Sequence, residues 1–328
     1  MADPGIGWRI LLTAELEGPP DTGALLTRLG DLYTRKRWPG VAELRTDDSL
    51  ELLRSRLVDG GPPVLLGVAG RTLVISAQHA FVDGLGLLGV LSEVTGRPAT
   101  TRVRGVAERP VRGGPRRAVA RRLAEATLRP PAPVVSPGTV AAGGDAFAET
   151  TVPGAWRTAV LVHAAVAGVV AHNAALGRRT RHVAVAVGAG RQDTEDPVGD
   201  HSGLLRLTDL EGRSADEVAE LLATAPLEPR PGARSAAGAG LLRGGMRLLS
   251  RRLGSTLLVS QLGDVTAPGV SALAFHPVTA GGTGLSLGAV TLRGRTTLTL
   301  RARAGRWDPA GLRALLERVV AELPGPAP

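Results

Sequence analysis

The sequence predicts an α+β protein with two core-forming units, and three observations carry that prediction. A length of 328 residues suits two cores of ordinary size. Both halves mix helical with strand-like segments. The order in the first half (strand, helix, helix, hairpin, helix) is not a regular βαβ repeat, which favours α+β over a doubly wound sheet. No internal repeat is present.

Taken in order, Trp8 to Leu16 reads as a strand. Asp21 or Thr22 then caps a helix with Leu25, Leu29, Leu32 and Tyr33 on one face, ended by Pro39-Gly40. A second helix is expected from Ser49 to Val58, closed by Gly60-Gly61. Val64 to Val68 and Thr72 to Ala77 flank Ala69-Gly70-Arg71 as a hairpin, and a short helix follows from Leu85 to Val94. Arg and Pro dominate from Arg97 to Gly144, with one helix expected over Arg116 to Leu128. Beyond it come a strand (Ala146 to Val152) and an Ala/Val-rich helix (Trp156 to Leu176) that is apolar nearly all round and hence buried. Strands at His182 to Val187 and Leu204 to Leu207 and a helix from Ala215 to Ala223 follow. After a Gly/Arg-rich connection come strands at Thr256 to Gln261, Leu285 to Leu292 and Thr296 to Ala302. Asp308-Pro309 supplies a cap and an N1 proline for a last helix, Ala310 to Leu323.

Composition narrows the function classes. Aromatic residues make up 2% of the chain, so the cores must be built from Leu, Val and Ala. The net charge of +9 is almost wholly arginine, Lys36 being the only lysine, and it is spread along the chain with few rings to stack on bases. That pattern points to codon bias and against nucleic acid. The absence of cysteine excludes disulfides, thiolate metal sites and a cysteine nucleophile. Met1 to Gly5 lacks the basic and apolar regions of a signal peptide, and Thr158 to Ala171 is too short for a bilayer span, so a cytoplasmic protein is expected.

The chemistry concentrates at Gln78-His79-Ala80-Phe81-Val82-Asp83-Gly84, where an apolar strand stops at a histidine and a glycine-permitted turn follows. Imidazole is the side chain suited to take a proton at neutral pH. On spacing alone, a core histidine with a helix-capping Asp is the commoner outcome.

The order of features around this segment resembles the CoA-dependent acyltransferase superfamily. Its members include condensation domains of nonribosomal peptide synthetases, chloramphenicol acetyltransferase, wax ester synthases and polyketide-associated acyltransferases. Their His-His-x-x-x-Asp-Gly motif ends a strand that follows a hairpin, as residues 78–84 do here. Trp38 to Arg45, Thr158 to Leu176, Val198-Gly199-Asp200, Leu257 to Gly263 and Gly282 to Leu287 resemble further family segments in the same order. The chain departs from the pattern at Gln78 (for the first His) and Gln261 (for an Asn), and it is shorter than usual relatives.

The resemblance implies two pseudo-symmetric chloramphenicol acetyltransferase-like lobes, 1–140 and 141–328, with a channel between them. His79 is the implied general base, taking the proton of an amine or hydroxyl acceptor as it attacks a thioester. Acyl-CoA or a carrier-bound phosphopantetheine thioester is the implied co-substrate, with no permanently bound cofactor. Asp83 is implied to pair with Arg45 in a structural ion pair beside Gly84. Gln78, Ser260, Gln261, Thr283 and His201 are the oxyanion or channel candidates. A carrier protein is an expected partner, and a monomer the expected state. The alternatives are a non-catalytic module that recruits a carrier or partner enzyme, and a cyclase on the same fold.

The other sites carry less. His163 and His172 belong to the buried helix, and His182 and His276 stand near strand starts without carboxylate partners in the sequence. No spacing suggests a metal site. Gly284-Leu285-Ser286-Leu287-Gly288 fits G-x-S-x-G, but it runs into strand sequence and no histidine follows it. Gly238-Ala239-Gly240 lacks the preceding strand of a dinucleotide loop. The Arg97 to Arg129 cluster reads as a solvated stretch, or as a surface for CoA phosphates or an acidic carrier.

Overall fold

The computed structural model describes residues 9–58, 60–103, 105–106, 124–125, 127–136, 144–190, 196–228, 254–279 and 284–325. The first half contains β1 (Arg9–Leu16), α1 (Thr22–Lys36), β2 (Leu44–Thr46), α2 (Leu50–Leu57), β3 (Val64–Ala69), β4 (Thr72–Gln78), α3 (Gly84–Thr95) and β5 (Thr100–Thr101). The second contains β6 (Asp145–Pro153), α4 (Thr158–Ala175), β7 (Val185–Gly190), β8 (Ser202–Leu207), α5 (Ala215–Thr224), β9 (Leu257–Thr266), β10 (Val270–His276), β11 (Leu285–Leu292), β12 (Arg295–Arg303) and α6 (Pro309–Ala321). One sheet runs β10-β1-β4-β3-β2; the other runs β6-β12-β11-β9-β7-β8, with β5 paired to β9.

The fold is α+β in two lobes, and the strands cross the expected boundary at residue 140 twice. β10 leaves the second half to pair antiparallel with β1, and β5 leaves the first to pair with β9. Each sheet is therefore completed by the other half of the chain. The first-lobe core accordingly includes Leu262, Val265, Phe275 and Val290 beside Ile10, Leu12, Leu29 and Leu91.

Local signals explain most elements. Asp21 caps α1 by accepting from Ala24 N, and Leu25, Leu29, Leu32 and Tyr33 are its buried face. Ser214 and Glu217 form a reciprocal capping box on α5, and Asp308 with Pro309 opens α6. The strand expected at His182 begins instead at Val185, because the Glu211 carboxylate takes the backbone N–H groups of His182 and Val183. β2, β5 and β10 were not anticipated. The helix expected over Arg116 to Leu128 falls mostly outside the described residues, as does Gly238 to Gly240.

The helix α4 is, at 18 residues, long and apolar enough to cross a membrane, which corrects the shorter apolar stretch expected. In this fold it is a core helix: Leu161, Val162, Ala165, Val166 and Val169 are buried in one cluster with α6 and the second sheet.

Arginines fill the seam between the lobes. Arg9 donates to Ser76 Oγ, Ser76 O, Gly60 O and Pro62 O at 2.7–3.0 Å. Arg301 reaches across to Arg9 O at 2.7 Å while its Nε binds Asp145 at 2.7 Å. Arg54 on α2 binds Glu149 on β6 at 2.9 Å. Burial lowers the Arg9 pKa to about 10, with the nearby Arg45 and Arg301 charges contributing and Tyr33 and Glu43 opposing.

His276 lies in this seam fully buried, edge-on to Phe147 and 3.7 Å from Glu149, so it does have a carboxylate neighbour. Neither ring nitrogen has a hydrogen-bond partner among the described residues. Burial first, then the Arg54 and Arg301 charges, hold its pKa well below the usual imidazole value. The folded state therefore keeps His276 neutral while the unfolded chain binds a proton below about pH 6.5. Stability is full above that pH and falls as the pH drops, by up to ~1.4 kcal/mol per unit for one site. Urea unfolding of the wild type and His276→Leu between pH 7.5 and 5 is expected to show a shallower pH dependence in the variant. Equal slopes would remove His276 as the cause.

Candidate active site between the lobes

The His79 turn is built by β4 and closed by α3. β4 is paired with β1 to its last residue, Gln78, and with β3 as far as Ala77. The Gln78 carbonyl then accepts from both Phe81 N and Val82 N, which fixes a tight turn carrying His79. Val82 is fully buried and Phe81 packs on the first-lobe core. His79 is left with a quarter of its side chain exposed.

Asp83 does not pair with Arg45. Arg45 sits on the edge strand β2, where it binds Glu43 at 2.8 Å and the carbonyl of Arg56 at 2.9 Å. Asp83 is buried and caps α3, accepting from Gly86 N at 2.7 Å and from His201 N at 2.9 Å. Its own N–H donates to Gly199 O. The motif carboxylate is thus neutralised by backbone donors, one of them from the second lobe. A carboxylate needs donors, and at the positive end of a helix amides serve as well as a guanidinium.

The segment 196–201, between β7 and β8, is clasped onto the first lobe. Lys36 pairs with Asp196 and donates to Val198 O at 2.7 Å. Burial pushes the Asp196 carboxyl up, but the Lys36 ammonium and the Val198 N–H outweigh it and hold the group below the usual carboxylate range. α3 presents Gly86 and Gly89 to this segment so closely that a methyl at Gly89 would lie 2.4 Å from Pro197 O, and one at Gly86 2.8 Å from Gly199 O. Gly89→Ala is expected to lose about 1–3 kcal/mol by forcing the two backbones apart. Gly30→Ala, which points into open space on α1, is the control and is expected to gain up to about 1 kcal/mol. Urea midpoints compare the two.

The clasp places Asp200 with Oδ1 3.9 Å from His79 Nδ1. The same oxygen accepts from Ser202 N at 3.1 Å and Ser202 Oγ at 2.5 Å. His201 sits alongside, its Nε2 buried without a hydrogen-bond partner among the described residues. Asp200 and Lys36 were not named as site residues; the available signals were the family-like Val198-Gly199-Asp200 segment, the Asp-His dipeptide and the solitary lysine.

The remaining candidates separate. Ser260 lies in register with Gly288 on β11 and one step past the Val187–Val259 pair, with a methyl at Gly188 falling 2.7 Å from its Oγ. It shares its face of β9 with Leu262, which packs near Gly84 in the first-lobe core. Gln261 points the other way and donates to Thr158 Oγ1 at the start of α4. Gln78 is committed to Gly61 O at 2.7 Å. Thr283 lies outside the described residues.

Among the described residues, His182, Asp209 and Glu211 form a cluster with metal-ligand side chains, their ligand atoms within 4.8 Å of one another. His182 Nδ1 stands 2.8 Å from Asp209 Oδ1, a carboxylate partner the sequence did not reveal. With both Glu211 oxygens on backbone N–H groups, the cluster locks a turn in which His182 and Asp209 adopt positive φ of 60° and 54°.

No family model and no curated protein matches the sequence. Solved structures do match. The first condensation domain of the calcium-dependent antibiotic synthetase is 18% identical, with a TM-score of 0.57 over 98% of this chain and 92% of that one. This chain has the condensation-domain fold. A starter condensation domain of rhizomide synthetase, solved with C8-CoA, is 14% identical at TM-score 0.56, covering 97% and 89% of the two chains. The cyclization-docking bidomain of a nonribosomal peptide synthetase from Sorangium cellulosum is 15% identical at TM-score 0.55, covering 97% and 80%. Condensation-domain fold and reaction are separate matters, since these neighbours carry different activities in their names.

Proposed function

We propose that this protein is an acyltransferase of natural-product biosynthesis, moving an acyl group from a CoA or carrier-protein thioester to an amine or hydroxyl acceptor. The observation that carries the reading is His79, kept at the end of β4 on the condensation-domain fold, part-exposed and beside an acidic side chain from the opposite lobe. His79 Nε2 accepts the acceptor's proton as the nitrogen or oxygen attacks the thioester carbonyl. The C–S bond of the tetrahedral intermediate then breaks, and the proton passes to the departing thiolate. Among the candidates in the described residues, Ser260 Oγ is the hydroxyl donor assigned to the oxyanion, an interaction worth roughly 3–4 kcal/mol where geometry is favourable. The C8-CoA complex of the rhizomide synthetase domain supports a CoA donor as the first to try.

The test is thiol release from acyl-CoA and acyl-phosphopantetheine carrier donors in the presence of amine and alcohol acceptors. The cysteine-free chain contributes no thiol background. Acceptor-dependent release supports the proposal. Absence of release with every donor overturns it in favour of a carrier-recruiting module, and a rearranged product without thiol release favours a cyclase.

A further inference from the structure

We propose that Asp200 is the positioning residue for His79, holding its imidazole as the Nδ1–H tautomer so that Nε2 faces the acceptor. The inference rests on the reading of His79 as general base and deepens it. A base of this kind works only when the nitrogen facing the substrate lacks a proton, and which nitrogen carries it is set by what the other one meets. Here Nδ1 meets Asp200 Oδ1 at 3.9 Å, an approach that needs less than one ångström to become a hydrogen bond. Catalytic hydrogen bonds are often this long before substrate binds.

Asp200 is also the better-fixed member of the pair. Ser202 holds Oδ1 through its N–H and its hydroxyl. Gly199, one residue earlier, receives the Asp83 N–H, and His201, one residue later, donates its N–H to the Asp83 carboxylate. Lys36 secures the segment further back at Asp196 and Val198. Asp83 thereby acts on His79 from the far side, its backbone N–H holding Gly199 and its carboxylate holding His201, the two neighbours of the residue that orients the imidazole. This gives Asp83 a catalytic consequence that does not depend on Arg45, which is bound to Glu43 and the Arg56 carbonyl instead.

Two-bond ¹H–¹⁵N correlation spectra of the imidazoles at about pH 9, well above the ordinary imidazole range, test this directly, using His79→Ala to assign the resonance. The wild type is expected to show His79 as the Nδ1–H tautomer, and Asp200→Asn to shift the population toward Nε2–H. The same variant is expected to lower kcat for thiol release, with KM little changed. The fall should lie between about 10-fold and the roughly 10⁴-fold that a wrong tautomer causes in a serine protease. Urea unfolding serves as the fold control, since asparagine keeps the size of the side chain. An unchanged His79 tautomer in Asp200→Asn overturns the inference, whatever the rate. A tautomer shift in a protein that releases no thiol upholds the positioning role and instead sinks the acyl-transfer reading.

Discussion

His79→Ala is expected to lower acceptor-dependent thiol release by about 10²–10⁴-fold while leaving the urea midpoint nearly unmoved. The two halves of that expectation have separate sources. General-base assistance is typically worth that range in rate, or about 3–5 kcal/mol of transition-state stabilisation. Stability is spared because His79 is part-exposed, is held by the backbone of its turn rather than by its ring, and has its nearest charged neighbour among the described residues at 3.9 Å. Loss of rate with loss of fold would place His79 among the structural histidines, and undiminished turnover would dismiss it as the base. Ser260→Ala in the same assay separates proton transfer from oxyanion stabilisation. It is expected to lower the rate without changing its dependence on pH.

Much of this site was legible as pattern and little of it as partnership. The hairpin, the histidine that ends it and the helix opened by Asp83 follow from two short apolar runs about Ala69-Gly70-Arg71, a strand stop and a cap signal, all written within about twenty residues. The partners of Asp83 do not follow from any letter, because they are backbone amides of Gly86 and His201, and amides are common to every residue. The family resemblance implies a guanidinium, and Arg45 is the position that matches it. It lies on the outer strand of the sheet, where sequence gives no sign of order across strands. β10 escaped for a related reason. Val270–His276 is covered on both faces over much of its length, so it shows no clean alternation, and its partner β1 stands more than 250 residues earlier. Composition misled in one more respect. Abundant arginine spread along the chain reads as codon bias, yet Arg9, Arg54 and Arg301 are buried where the lobes meet.

Those arginines make Asp145→Ala the substitution with the largest expected effect on stability. The Asp145 side chain has no solvent exposure, and neither has that of Arg301, which it meets at 2.6 and 2.7 Å through two nitrogens; Arg303 adds a third contact at 3.1 Å. Arg301 also lies over the Phe147 ring, 5.6 Å from its centroid, and holds the carbonyls of Arg9 and Pro277. Truncating Asp145 leaves that guanidinium charged, in a region that already holds Arg9 and Arg54 and whose one histidine stays neutral. Removal of one member of a buried pair typically costs 3–5 kcal/mol, most of it from the stranded charge. A loss of about that size in urea unfolding is therefore expected for Asp145→Ala. Deleting both charges in Asp145→Ala/Arg301→Met should recover a substantial part of it, because the double variant strands nothing. The single change would be tolerated, with a loss under about 1 kcal/mol, only if water reached Arg301. The sign of the coupling between the two substitutions thus decides whether the seam is held by the pair itself or merely spared an unpaired cation.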